Sequence, residues 1–220
     1  RVPGMAAWRA ARGRRPWLQE IAIFGIALVV YQVSRMLVIG EPSTAFQNAA
    51  GLIDFEKSSG LFVELSIQQW LLNHLALTSA LNKFYMLGHW IITPLFFVWL
   101  YKRRRRVYPY VRNAFLAANA IALSVFVVFP VAPPRLINGD GFVDTLSGVS
   151  NIDLHGGVLS GLFNPHAAVP SMHFGYAFMI GVVAALLLQH WALRLLALSY
   201  PALVFLTITG TANHYVFDSL

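Results

Sequence analysis

The feature that most constrains this chain is a set of long, predominantly apolar runs: Leu18–Ile39, Ala80–Tyr101, Tyr108–Val131, Ser171–Gln189 and Leu195–Asn213. Each is close to the ~20 residues that an α-helix needs to cross a ~30 Å hydrocarbon layer. In that layer every backbone N–H and C=O must find its partner within the protein, which leaves helices as the solution for separate apolar runs. Composition agrees, since 57% of residues are hydrophobic and 11% charged, where soluble domains carry about 25% charged residues. The expected fold is all-α: a polytopic integral membrane helix bundle with five spans. Residues 1–17 read as a basic cytoplasmic segment and 18–220 as a single transmembrane domain. The first run is about 22 residues long, against roughly 7–15 for a signal-peptide core, and no small-residue cleavage pattern follows it, so it reads as a retained anchor. The chain starts at Arg1 and stops two residues after Asp218, and both ends read as trimmed.

Orientation follows from the clumping of positive charge. The net charge is +7, with Arg1, Arg9, Arg12, Arg14 and Arg15 before the first run and a second block at Lys102–Arg106. Clusters at span ends read as topology signals and anionic-lipid contacts rather than as a nucleic-acid interface. Both clusters cytoplasmic is a self-consistent arrangement. It places Ala132–Pro170 outside and starts the fourth span from the outer face. The turn around His190 and Arg194 is then inside, and the fifth span carries the chain out to His214. The start of span four and the end of span five therefore meet at one extracytoplasmic face. Between the first two spans, Leu61–Leu75 sets Phe62, Leu65, Trp70 and Leu72 against Glu64, Gln68, Gln69 and Asn73, the pattern of an external interfacial helix. Cysteine is absent, which excludes disulfides, thiolate metal sites and cysteine nucleophiles.

Two blocks sit at the shared face. In Asn164-Pro165-His166-Ala167-Ala168-Val169-Pro170-Ser171-Met172-His173-Phe174-Gly175, Ser171 is a good N-cap and Pro170 punctuates the loop before it. The helix start offers free N–H groups and partial positive charge to an anion, and His173 falls in the first turn, where it can donate to a phosphate oxygen or a leaving group. In Gly210-Thr211-Ala212-Asn213-His214-Tyr215-Val216-Phe217-Asp218, His214 and Asp218 are spaced i,i+4 and share a face if the segment is helical. A carboxylate on one imidazole nitrogen fixes the tautomer and frees the other as a nucleophile. Upstream, Phe129-Pro130-Val131-Ala132-Pro133-Pro134-Arg135 stiffens the exit of span three and restricts Arg135, whose guanidinium can clamp phosphate bidentately.

These blocks resemble the type-2 phosphatidic acid phosphatase superfamily, through Pro170, Ser171 and His173 in its Pro-Ser-x-His motif and His214 and Asp218 in its His-x-x-x-Asp motif. Ala-Pro-Pro-Arg, Asn-Pro-x-Ala-Ala-x-Pro-Ser-x-His and His-Tyr-x-x-Asp look most like the branch that includes inositol phosphorylceramide synthase. The resemblance implies a six-helix bundle, of which the sixth helix is missing from this chain. It also implies His214 as nucleophile, Asp218 as its partner and His173 as general acid. The expected activity is hydrolysis or transfer of the phosphoryl or phospho-headgroup of a lipid phosphate ester, with water or an alcohol or polyol as acceptor. Departures are Met172 in place of the usual glycine, Thr207-Ile208 where the family commonly has Ser-Arg, and no clean Lys-x6-Arg-Pro counterpart. Arg135 is the candidate for the lost cations, with Ser171 as a second phosphate contact.

Singly, His173 and His214 fit structural roles; together with Ser171, Asp218 and the converging topology they read as catalytic. His166, Asn213 and Tyr215 are candidate headgroup contacts, with an ordinary loop histidine as the plainer reading of His166. His89, in mid-span beside Trp90, is a functional candidate or a helix-to-helix hydrogen-bonding residue. Glu56 and Lys57 read as an exposed pair, and Arg35 and Lys83 as snorkelling residues. Two His and one Asp suit zinc, but the N-cap, the helix dipole and Arg135 favour an anion, so no metal and no cofactor are expected. The rival classes are a non-catalytic lipid transporter or scaffold on the same bundle, and a small-ion or proton channel lined by His89.

Overall fold

A computed structural model describes residues 16–37, 42–137, 139–152 and 166–219. The basic residues Arg1–Arg15, together with Asn138, His155, Asn164 and Pro165, lie outside the described residues. The chain divides into two compact units, 1–39 and 40–220. The first contributes one helix, α1 (Pro16–Leu37), which begins on a proline whose missing N–H costs nothing at a helix start. It coincides with the first expected span, whose last two residues fall outside the described set.

In the second unit the order is α2 (Pro42–Ser59), α3 (Glu64–Leu72), α4 (Leu75–Arg103), α5 (Tyr108–Val128), a 3-10 turn (Pro134–Leu136), α6 (Thr145–Ser150), α7 (Met172–Leu187), α8 (Trp191–Gly210) and a 3-10 turn (Phe217–Ser219). β-pairing among the described residues is one parallel bridge, Val131 with Ala167. The helices α4, α5 and α8 are long and apolar enough to cross a membrane; α7 and Trp17–Val33 of α1 are apolar but shorter. The protein is an all-helical membrane bundle.

The pair α7–α8 forms its centre. Pro201 has no N–H to give the carbonyl of Ala197, four residues back. Gly181 of α7 lies against that spot, where a Cβ would stand 2.7 Å from Ala197 O and 2.8 Å from Pro201 Cδ. Only glycine permits this approach. Beneath it, Ala177, Val204 and Ile208 form an apolar cluster with Phe84, Tyr85, Phe174 and Tyr200 against it.

The region before α4 holds two helices rather than the single Leu61–Leu75 helix expected. The unexpected one is α2. Its buried positions Ala45, Ala49, Leu52, Ile53 and Glu56 follow helical spacing, but small alanines and a glutamate disguise the stripe. It packs with Val131, Ala132, Ala168 and Tyr215 in one core, and Asn48 Nδ2 donates to Pro130 O at 2.9 Å. The reading of Glu56 and Lys57 as an exposed pair is corrected. Glu56 is 0% exposed, and Lys57 instead pairs with Asp140 at 2.8 Å.

The two ends of the bundle carry different chemistry. At one, Arg104 Nη2 donates to Leu187 O and Arg194 Nε to Ala185 O, joining the basic Lys102–Arg106 block to the end of α7. The start of α7 and the end of α8 meet at the opposite end. There the Ser171 N–H donates to Asp218 O at 3.1 Å.

Candidate functional site

His214 owes its position to the way α8 stops. Ala212 takes a left-handed conformation, φ 55°, and the N–H groups of Asn213 and His214 both donate to Ile208 O, at 2.9 and 3.1 Å. This satisfies an end-of-helix carbonyl and turns the chain back toward α7. A left-handed alanine costs roughly 1 kcal/mol, which the surrounding bonds offset. The expectation of one helix face for His214 and Asp218 is corrected: the segment is a turn leading into the 3-10 turn at Phe217–Ser219. Carboxylates take the N–H groups that helix carbonyls would otherwise accept. Asp218 Oδ2 holds the Tyr215 N–H at 3.1 Å, Glu64 Oε1 that of Val216 at 2.7 Å, and Glu56 Oε1 that of Phe217 at 2.8 Å.

The His–Asp pairing forms all the same. His214 Nδ1 stands 3.1 Å from Asp218 Oδ2 and 2.9 Å from Ala168 O. A backbone carbonyl can only accept, so Nδ1 carries a proton, and Nε2 is the lone-pair nitrogen whenever the ring is neutral. Burial pushes the Asp218 carboxyl above the usual carboxylate range, opposed by His214 and by hydrogen bonds from the Tyr215 N–H and the Ser219 hydroxyl.

Ser171 is the N-cap of α7, its Oγ accepting from the Phe174 N–H at 3.3 Å. That leaves the first-turn N–H groups of Met172 and His173 without intrahelical partners. The His173 ring stacks on Tyr85 with centroids 4.4 Å apart, meets His89 edge-on at 4.5 Å, and lies 5.5 Å from the ring of His214. Here His89 makes a ring contact with His173, and its Nδ1 has no hydrogen-bond partner among the described residues.

Arg135 is 8% exposed and fixed on three sides. Its N–H donates to Ala212 O at 2.8 Å, Nε to Asn213 Oδ1 at 2.9 Å, and Nη1 to Asp144 Oδ2 at 3.1 Å. No described residue takes Nη2. Arg135, Asn213 and His214 line one small cavity with Pro133, Ala168 and Tyr85. A second cavity, apolar, is lined by His173, His89, Phe84, Tyr200 and Val204, and Tyr85 borders both. The structure thus brings His214, Asp218, His173, Arg135 and Asn213 together.

Three candidates fall elsewhere. Ser171 does not line the Arg135–His214 cavity and acts as a cap. Tyr215, expected as a headgroup contact, is 0% exposed and donates its hydroxyl to Ala132 O at 2.7 Å; it is a core residue. His166 stands edge-on to Phe46 at 6.1 Å, and its carbonyl accepts from Val131 N. Burial lowers its imidazole pKa. Sequence reasoning missed Tyr85 and Asp144. Tyr85 lies four residues before His89, on one helix face, which is a signal a sequence carries. Asp144 has none beyond being an N-cap candidate before Thr145.

The sequence model of the PAP2 superfamily matches residues 50–220. The chain belongs to the PAP2 superfamily. The matched stretch contains all five of these residues. Phosphoinositol dihydroceramide synthase of Bacteroides thetaiotaomicron is 26% identical, across 92% of this chain and 71% of that protein. No solved structure matches. In this PAP2 superfamily member Ile208 is buried in the α7–α8 cluster and Thr207 Oγ1 donates to Leu203 O. No cation therefore arises from that position. Among the described residues, no three His, Cys, Asp or Glu side chains converge as a metal-binding group. Family membership and the named relative make the protein a lipid phosphate-headgroup enzyme of the phosphatase and phosphotransferase type.

Proposed function

We propose that the protein transfers or hydrolyses the phospho-headgroup of a lipid phosphate ester through a phosphohistidine at His214. The carrying observation is the double anchoring of His214 Nδ1 by Ala168 O and Asp218, which directs the Nε2 lone pair outward as the nucleophile. Nε2 attacks phosphorus, the bond from phosphorus to the leaving oxygen breaks, and His173 supplies the proton that oxygen needs. Water or an alcohol then attacks phosphorus, the P–N bond breaks, and the entering hydroxyl's proton returns to His173. Arg135 neutralises charge on the phosphoryl oxygens, and Asn213 aims it. The relative's name, which joins phosphoinositol to dihydroceramide, favours a sphingoid or other lipid alcohol as acceptor over water. No metal takes part in this scheme.

The described helices supply five membrane crossings, with α1 and α7 as the remaining spans. The basic clusters set the N-terminus in the cytoplasm and the site at the extracytoplasmic face. In intact cells an impermeant thiol reagent should label Val143→Cys, whose parent side chain is 42% exposed, and leave Arg106→Cys unlabelled. The reverse pattern would overturn the orientation.

Purified protein incubated with phosphatidate, polyprenyl phosphate and phosphatidylinositol, with and without ceramide, should yield free phosphate or a new phosphodiester from at least one donor. Turnover should persist in EDTA. No turnover across the panel would favour a transporter or scaffold, and full inhibition by EDTA reversed by zinc would sink the metal-free scheme.

A further inference from the structure

Two buried glutamates, far from His214 in sequence, hold the backbone between the two ends of the His214–Asp218 pair. Glu56 of α2 and Glu64 at the start of α3 are each 0% exposed. One oxygen of each accepts a consecutive backbone N–H, Val216 to Glu64 and Phe217 to Glu56. The other oxygens, Glu56 Oε2 and Glu64 Oε2, are both buried and have no donor among the described residues. Accepting from consecutive N–H groups sets the two carboxyls side by side, and Glu64 is a cause of the raised pKa of Glu56. Among the described residues, the neighbouring Lys57 is committed to Asp140. Two adjacent ionised carboxylates beside Asp218, buried and without a counter-ion, would repel strongly. A single proton between the two orphaned oxygens satisfies both, one as donor and the other as acceptor.

We propose that Glu56 and Glu64 form a carboxylic acid–carboxylate pair sharing one proton, and that this pair positions the His214–Asp218 segment for catalysis. They are positioning residues and do not touch the substrate. With the pair intact, the N–H groups of Val216 and Phe217 are held and the turn presents Asp218 to His214 Nδ1. Loss of the shared proton leaves two like charges in contact, and the segment must move to relieve them.

Burial, with Glu64 and Asp218 as neighbours, raises the Glu56 carboxyl to about 8. The groups facing it are Glu64, Asp218 and the Tyr215 phenol, which burial keeps in its protonated form; Asp140 lies further out on Lys57. Because the folded-state pKa lies above the unfolded value of 4.5, the pair's contribution to stability is full below about 4.5 and declines from there. That contribution is lost as pH rises through about 8. The enzyme should therefore lose thermal stability across the interval from 4.5 to about 8 and lose rate as pH rises through about 8.

Glutamine tests the shared proton directly. In Glu56→Gln the amide oxygen accepts from Phe217 N–H while its NH2 donates to Glu64, so the protonated arrangement becomes permanent. Glu64→Gln does the same in the opposite sense. Each single variant should keep its neutral-pH rate within roughly threefold, move the alkaline fall in rate upward and flatten the decline of Tm with pH. The double variant sets two NH2 groups against each other with no acceptor between them. It should lose roughly tenfold or more in rate and melt below either single variant, a large negative coupling. Glu56→Ala, which orphans the Phe217 N–H, should also melt lower. Single glutamine variants as damaged as Glu56→Ala would overturn the shared proton, as would an additive double variant or an unmoved alkaline limb. The rate readout rests on the function proposed above, whereas Tm against pH in detergent does not. A protein inactive on every lipid that still shows the pH-dependent Tm pattern would sink that function and leave the pair standing.

Discussion

His214→Ala should abolish turnover and eliminate any acid-labile phosphoenzyme, a loss on the order of 10⁴-fold or more, as expected when the nucleophile itself is removed. The expectation rests on geometry. His214 is 4% exposed, lines the cavity of Arg135 and Asn213, and has its Nδ1 committed to two acceptors. Asp218→Asn should be gentler than removal of the nucleophile. The Ala168 carbonyl remains to hold the Nδ1 proton, so tautomer control is halved rather than lost. What disappears is the negative charge that supports the imidazole as it gains positive character, costing roughly 10²–10³-fold in kcat. The amide oxygen introduced by Asp218→Asn can still accept from the Tyr215 N–H, so the turn and the melting temperature should change little. Rapid quench with labelled lipid phosphate reads both variants. A phosphoenzyme that persists in His214→Ala would move the nucleophile to another side chain, His173 first.

Much of this arrangement is visible in the residues alone, and the parts that are not have physical reasons. Apolar runs near twenty residues cannot be anything but helices in lipid, so α4, α5 and α8 were legible within a few residues at each end. The convergence of His173 with His214 followed from counting crossings, and the Ser171 N-cap from local chemistry. α2 was hidden because its buried face is built of alanines and Glu56, residues that hydropathy does not score as core. The i,i+4 spacing of His214 and Asp218 suggested a helix, yet the contact arises in a turn. The backbone between them, at Phe217 and Val216, is claimed by Glu56 and Glu64, 161 and 152 residues away. No local pattern encodes a bond of that range. Tyr215 shows the same limit: its neighbours suggest a ligand-binding residue, and only packing reveals a core tyrosine bonded to Ala132.

Arg135→Ala should lower turnover by roughly two orders of magnitude or more, the cost of losing one preorganised charge-stabilising donor in a partly dry site. Arg135 is the sole arginine or lysine between Arg112 and Arg194, and Ile208 supplies no cation where the superfamily commonly carries one. A phosphoryl group gathering negative charge at His214 therefore has this guanidinium as its compensation within the loop from α5 to α7. The structure adds a complication that exposure alone would not predict. Arg135 is 8% exposed and ties Asn213 to Asp144, so truncation also strips partners from Asn213 and from the cap of α6. Two controls separate the effects. Asp144→Asn keeps an N-cap acceptor for Leu146 N–H and removes only the ion pair, so it should lower Tm slightly and rate by less than about tenfold. Arg135→Lys retains a positive charge but cannot bond Asn213 and Asp144 while also offering a planar edge to phosphate, so it should recover only part of the rate. Arg135→Ala matching wild-type kcat at a temperature where it remains folded would place the phosphate clamp elsewhere, with Lys57 and Lys83 the next residues to substitute.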